Sequence, residues 1–193
     1  MSSTSSAYEI SKRKVFLFLL LVIALVVMNA VLVLQNRDLK SADGRSLVLK
    51  PGKVVPALAG VDTNGRKVTF DYANDQRKTV LLVFSPRCTY CTENMPNWRA
   101  ITQGLDAKSF RVVAVSSWPE GVKEYAADHG LTNVPVIAEP DPKNRVAYEM
   151  NMTPQTILID PKGKVEKVWT GLIQEDERAE IEQALRLKLP SST

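Results

Sequence analysis

One run of residues limits this chain before any other property does: between positions 15 and 34 stand 20 residues of which only Asn29 is polar. Coiled as a helix, such a run matches the hydrocarbon core of a bilayer, roughly 30 Å. A buried core helix is the poorer reading, because few such helices are apolar on every side. A removable export signal usually carries only about 7–15 apolar residues before a small-residue cleavage pattern. Here Asn29-Ala30 is followed by four large aliphatic residues instead. The expectation is a retained single transmembrane helix at residues 15–34. Lys12, Arg13 and Lys14 sit directly before it, whereas Arg37, Lys40 and Arg45 are spread out after it. Positive charge concentrates on the cytoplasmic side, so residues 1–14 read as a short cytoplasmic N-terminus. The remainder then faces the periplasmic or extracytoplasmic side of the inner membrane. Residues 35–46 are polar with little period and read as a linker to a domain at 47–193.

Beyond position 34 the chain keeps 159 residues, with 22 Lys or Arg and 20 Asp or Glu, a net of +2. That length suffices for one compact domain burying roughly two-thirds of its unfolded surface. The basic pI of about 9.1 therefore belongs largely to the first segment. No basic face for nucleic acid is expected. Two cysteines and one histidine fall short of the four ligands of a structural zinc site. One possible bridge cannot make a disulfide-dense scaffold either. Neither a metal nor a cofactor is expected.

The domain alternates between strand and helix patterns. Residues 47–49 and 54–58 are short apolar stretches, and Asn64-Gly65 before residues 67–70 is a type I′ hairpin signal. The continuous apolar run at 79–84, closed by Pro86, predicts a strand buried on both faces. Residues 88–105 follow as a helix, with Met95, Trp98, Ile101 and Leu105 on one face. Further strands are expected at 111–116, 134–138, 156–160 and 165–170, the last two as a hairpin. Helices are expected at 120–129, stopping at Gly130, at 144–150, and at 174–189. The pattern is an α/β sandwich with a mixed sheet.

Cys88 and Cys91 stand where the buried strand gives way to the helix. At a helix start, unpaired N–H groups favour an anion, and the thiolate is the reactive form of cysteine. Arg87 adds a positive charge that supports the thiolate if its side chain turns toward the sulfur. Cys91 falls one turn later on the same face, within reach of a mixed disulfide formed at Cys88. Cys88 reads as nucleophile and Cys91 as resolving thiol. Two other roles stand beside this one. A structural bridge closing so short a loop gains only about 2 kcal/mol in the chain-entropy account. A Cu(I) site is the other, since soft thiolates select that ion.

Residues 79–96, with Phe-Ser-Pro-Arg-Cys-Thr-Tyr-Cys at their centre and Pro96 five residues past the second cysteine, resemble the active-site region of thioredoxin-fold proteins. Together with the N-terminal apolar run, the Asn-Gly hairpin and the stretch Thr153-Pro154-Gln155-Thr156, they resemble the membrane-anchored TlpA/ResA-like branch over about residues 47–188. The resemblance implies a thioredoxin-like mixed sheet flanked by helices, with an N-terminal β-hairpin extension. It implies a thiol–disulfide oxidoreductase that reduces exported partner proteins such as apocytochrome c; a reductase in an oxidising exported space is in turn expected to draw electrons from a membrane donor. It also implies a cis Thr153–Pro154 bond packed against the Cys88–Cys91 turn, with Thr153 and Tyr90 at the rim where a partner docks. For Tyr90, a contact role and plain exposure stand level.

Three positions depart from the family pattern. Leu82 replaces a buried Asp, Asn94 replaces a Glu with Glu93 one position earlier, and Arg87 replaces a frequent Trp. No carboxylate is therefore assigned to take the proton from Cys91. His129 reads as an exposed or C-capping residue. Trp98 is read as core, while Trp118 and Trp169 are read as packing residues, with a protein-binding groove as the alternative. Two other functions share the fold or the ligands. A peroxiredoxin-like thiol peroxidase resembles Pro-x-x-x-Thr-x-x-Cys, where this chain has Leu81 and Ser85. A Cu(I) metallochaperone would need a distant ligand such as His129.

Overall fold

Helix-forming residues continue past the apolar run, and so does the helix. The computed structural model describes residues 12–42 and 48–190, and the chain divides into two units, Met1–Arg45 and Ser46–Thr193. In the first unit α1 (Lys12–Ala42) runs for 31 residues. Its stretch Lys14–Leu32 is long and apolar enough to cross a membrane, and none of it is buried. Asn29 Nδ2 donates to the Leu25 carbonyl at 3.0 Å, so the run's polar side chain is partly satisfied within the helix. Residues 35–42, expected as linker, are helical instead. They contain neither Gly nor Pro and include good helix formers, so the hydrogen-bond ladder carries on. The expected N-terminus up to position 11, and positions 43–47 of the linker and domain start, lie outside the described residues.

In the second unit the strands are β1 (Leu58–Asp62), β2 (Lys67–Phe70), β3 (Lys78–Phe84), β4 (Phe110–Ser116), β5 (Val136–Pro140), β6 (Gln155–Ile159) and β7 (Val165–Thr170). They form one sheet in the order β2-β1-β5-β4-β3-β6-β7. β4 runs parallel to β3 and to β5, and the remaining neighbours pair antiparallel. The helices are α2 (Thr89–Glu93), α3 (Met95–Gly104), α4 (Val122–Asp128), α5 (Pro142–Ala147) and α6 (Glu175–Leu185). β3 explains the unbroken apolar run in the sequence. Its Val80, Leu82 and Phe84 join a core with Cys91, Met95, Trp98 and residues of α4 and α6. Its Leu81 and Val83 join a second core with Tyr72, Val113, Tyr148 and Ile157. Successive side chains alternate between two buried faces, so every position from Val80 to Phe84 is apolar.

Several local expectations change. The β1–β2 hairpin forms, but not through a type I′ turn. Asp62 and Arg66 close a loop of residues 63–65, with Gly65 at φ 78° and Asn64 outside the left-handed region. This is a three-residue loop ending in a left-handed glycine. Asp62 Oδ1 stabilises it by accepting the N–H groups of Asn64 and Arg66 at 2.8 and 2.9 Å. The single helix expected over 88–105 is broken at Asn94 into α2 and α3. Pro96 has no N–H to give and its ring crowds the carbonyl one turn back, so the second helix starts afresh with proline in its first turn. β5 begins two residues later than expected, α5 begins at Pro142 and ends at Ala147, and α6 stops at Leu185, where Arg186 takes φ 56°.

Candidate active site

The chain leaves the end of β3 through a turn held by Ser85. The Ser85 carbonyl accepts the Cys88 N–H at 3.1 Å, and its hydroxyl oxygen accepts the Arg87 N–H at 3.2 Å. This turn sets Cys88 as the N-cap of α2, with an extended backbone. The Cys88 sulfur accepts the Cys91 N–H at 3.2 Å. It also donates to the Thr153 carbonyl at 3.5 Å. The Thr153–Pro154 bond is cis, and Pro154 is buried at the entry to β6, whose Gln155 pairs with Val83 of β3. The strand pairing thus carries residue 153 to the sulfur from 65 positions away.

The two cysteines are free thiols in contrasting surroundings. Cys88 is half-buried and Cys91 fully buried. Burial pushes the Cys91 thiol up to about 12, and the hydrogen bond and charge of Cys88 push the same way. Leu82 explains part of this. It sits in the same core as Cys91, so an apolar side chain stands on the face where thioredoxin-type chains carry an acid. Glu93 is exposed. A sulfur at the surface with a second, protonated sulfur beneath it is suited to sequential attack, outer thiol first.

The other anticipated residues separate into rim and core. Tyr90 is 62% exposed and Trp118 38% exposed, and Thr153 is half-buried. Arg87 does not turn to the sulfur. Its guanidinium lies 4.0 Å from the Trp118 ring centroid, and among the described residues no hydrogen bond joins it to either cysteine. Trp98 is core and donates to Thr156 Oγ1 at 2.8 Å. Trp169 is buried. His129 caps α4, with Nδ1 2.9 Å from the Tyr125 carbonyl and its ring stacked on Tyr125 at 4.1 Å. No group of three or more His, Cys, Asp or Glu side chains comes together among the described residues.

Two residues named in the sequence take supporting roles that it did not reveal. Asn94 Oδ1 accepts Asn97 Nδ2 at 3.1 Å and the Ile173 N–H at 3.2 Å, tying the loop after β7 to the helix break. Its Nδ2 is buried without a partner. Gln155 Nε2 donates to the carbonyls of Met152 at 2.8 Å and Glu149 at 3.3 Å, fastening the loop that delivers Thr153.

Residues 51–168 match the AhpC/TSA family. The chain belongs to that family. Within it, the chain is 28% identical over 130 residues to thiol-disulfide oxidoreductase ResA of Bacillus subtilis, covering 66% of this chain and 71% of that one. A thiol:disulfide interchange protein from Bacteroides sp. superposes with TM-score 0.57 at 21% identity, covering 72% of this chain and 91% of that one. A peroxiredoxin-like protein from Aquifex aeolicus superposes with TM-score 0.54 at 18% identity, over 72% and 88%. These structures share the fold. This AhpC/TSA-family chain is a thiol–disulfide oxidoreductase of thioredoxin fold, similar to ResA.

Proposed function

We propose that the protein is an anchored dithiol reductant, held in the inner membrane by α1 and acting on disulfides of exported proteins, with Cys88 as nucleophile and Cys91 as resolving thiol. The observation that carries this reading is the pair of sulfurs itself: Cys88 half-buried beside the Thr153 carbonyl, Cys91 fully buried one turn behind it. Cys88 as thiolate attacks one sulfur of the partner disulfide, forming a mixed disulfide and releasing the other partner sulfur as thiolate. Cys91 then gives up its proton and attacks the Cys88 sulfur, freeing the second partner thiol. The Cys88–Cys91 pair ends as a disulfide, oxidised by two electrons, and the partner ends reduced by two. A membrane protein offering a dithiol restores the pair. Thr153 and Tyr90 flank the sulfur where a partner segment would lie, and Pro154 holds Thr153 in place. Apocytochrome c is the partner that the likeness to TlpA/ResA-type chains points to. The Lys12-Arg13-Lys14 cluster that opens α1, directly before its apolar run, supports a cytoplasmic N-terminus and an exported domain.

The direction of electron flow is tested by the reduction potential of the Cys88–Cys91 pair, equilibrated against a thiol buffer. Dithiols of this chemistry span about −270 to −120 mV. The proposal expects a value toward the reducing end. A value of about −150 mV or above would make the protein an oxidant instead. Hydrogen-peroxide consumption by the reduced protein, at a rate exceeding its reduction of insulin disulfides, would favour a peroxidase.

A further inference from the structure

The arginine before the nucleophile lies against an aromatic ring without a carboxylate partner. Arg66, Arg77, Arg111 and Arg178 each pair with a carboxylate. Arg87 is exposed, and among the described residues it forms neither an ion pair nor a side-chain hydrogen bond. It is nevertheless held. Its guanidinium lies 4.0 Å over the Trp118 ring, and Trp118 is fixed in turn. The Trp118 N–H donates to Ser116 Oγ at 3.2 Å, the Ser116 hydroxyl donates back to the Trp118 carbonyl at 2.5 Å, and the Ser117 N–H donates to the Phe84 carbonyl at 2.8 Å. These bonds fix the Trp118 backbone beside the end of β3, where the Cys88 turn begins.

The ring covers the guanidinium on one side and leaves its N–H donors, unbonded among the described residues, in the planar fork that matches a carboxylate. A planar cation held in place loses little freedom when it binds an acid, so the pairing gains over that of a free surface lysine. Any partner that brings a sulfur to Cys88 also brings the residues beside its own half-cystine against Arg87.

We infer that Arg87, seated on Trp118, is a specificity-determining residue that selects partner segments carrying Asp or Glu within one or two positions of the reacting half-cystine. The inference rests on the dithiol-exchange reading above and adds the chemistry of the preferred partner. It also assigns Trp118 a role as the platform that positions the charge.

The test uses the reduced full-length chain in detergent micelles and three synthetic disulfide-linked peptides, alike except for Glu, Gln or Lys next to the cysteine. The rate of Cys88–Cys91 disulfide formation is read by quenching and alkylation. The expected order is Glu, then Gln, then Lys, with about a tenfold ratio of Glu to Lys at low salt that shrinks as ionic strength rises. Arg87→Gln brings that ratio to about one, and Arg87→Glu inverts it. Trp118→Ala lowers it while the charge remains, and Arg87→Lys retains only part of it. Taking the ratio cancels any effect of residue 87 on the reactivity of Cys88 itself. Equal rates for the Glu and Lys peptides with the native chain, or a preference that survives Arg87→Gln, would overturn the inference and leave dithiol exchange standing. Absence of exchange with all three peptides would overturn both.

Discussion

Cys88 and Cys91 stand three residues apart yet meet opposite surroundings, and the difference is measurable through protons. An unfolded thiol ionises near 9.0, whereas burial and the neighbouring Cys88 hold the Cys91 thiol up to about 12. Between those values the unfolded chain binds fewer protons at this site than the folded one. Stability of the reduced protein therefore falls as pH rises from about 9 toward about 12. Tyr72 is pushed up by burial as well and acts in the same direction. The contribution of Cys91 is isolated by comparing the native chain with Cys91→Ala. We predict that denaturant midpoints of the two converge on the alkaline side, the native chain losing more stability per pH unit. Parallel curves would contradict the buried, protonated thiol.

At the scale of elements, the break between α2 and α3 positions the dithiol relative to the β7–α6 loop. Asn94 supplies the acceptor that joins them, through Asn97 Nδ2 and the Ile173 N–H. Asn94→Ala strands both buried donors, at a cost of about 1–3 kcal/mol for each unsatisfied group. Urea unfolding of that variant is expected to show a loss in this range, with Asn94→Asp recovering part of it because an acceptor returns. A loss no larger than that of an exposed alanine substitution would contradict the tie. β3 and β4 were legible in the sequence because burial on both faces demands consecutive apolar residues. The cysteine turn was legible because strand, proline and spacing agree there. The helix break was not, since Cys91, Met95, Trp98 and Ile101 keep a helical three- and four-residue spacing straight across Asn94. The type of hairpin turn was missed because Asn-Gly fits two loop lengths, and Asp62 chose between them. The direction of Arg87 depends on Trp118, 31 positions later, which no local pattern encodes.

The whole molecule joins an apolar helix to a thioredoxin-fold domain, and the chemistry proposed for it depends on the compartment that the domain meets. A membrane-impermeant maleimide applied to intact spheroplasts is expected to label reduced Cys88 without lysis. Labelling that requires lysis would place the domain in the cytoplasm and remove exported partners from the account. The division of labour between the sulfurs is tested most directly by trapping the mixed disulfide. Reduced native chain, Cys88→Ser and Cys91→Ser are each mixed with a disulfide-bonded protein, quenched with acid and separated without reductant. The account predicts turnover by the native chain, no adduct with Cys88→Ser, and a stable adduct through Cys88 with Cys91→Ser, at one partner per chain. Native rates in Cys88→Ser, or an adduct carried by Cys91, would contradict it.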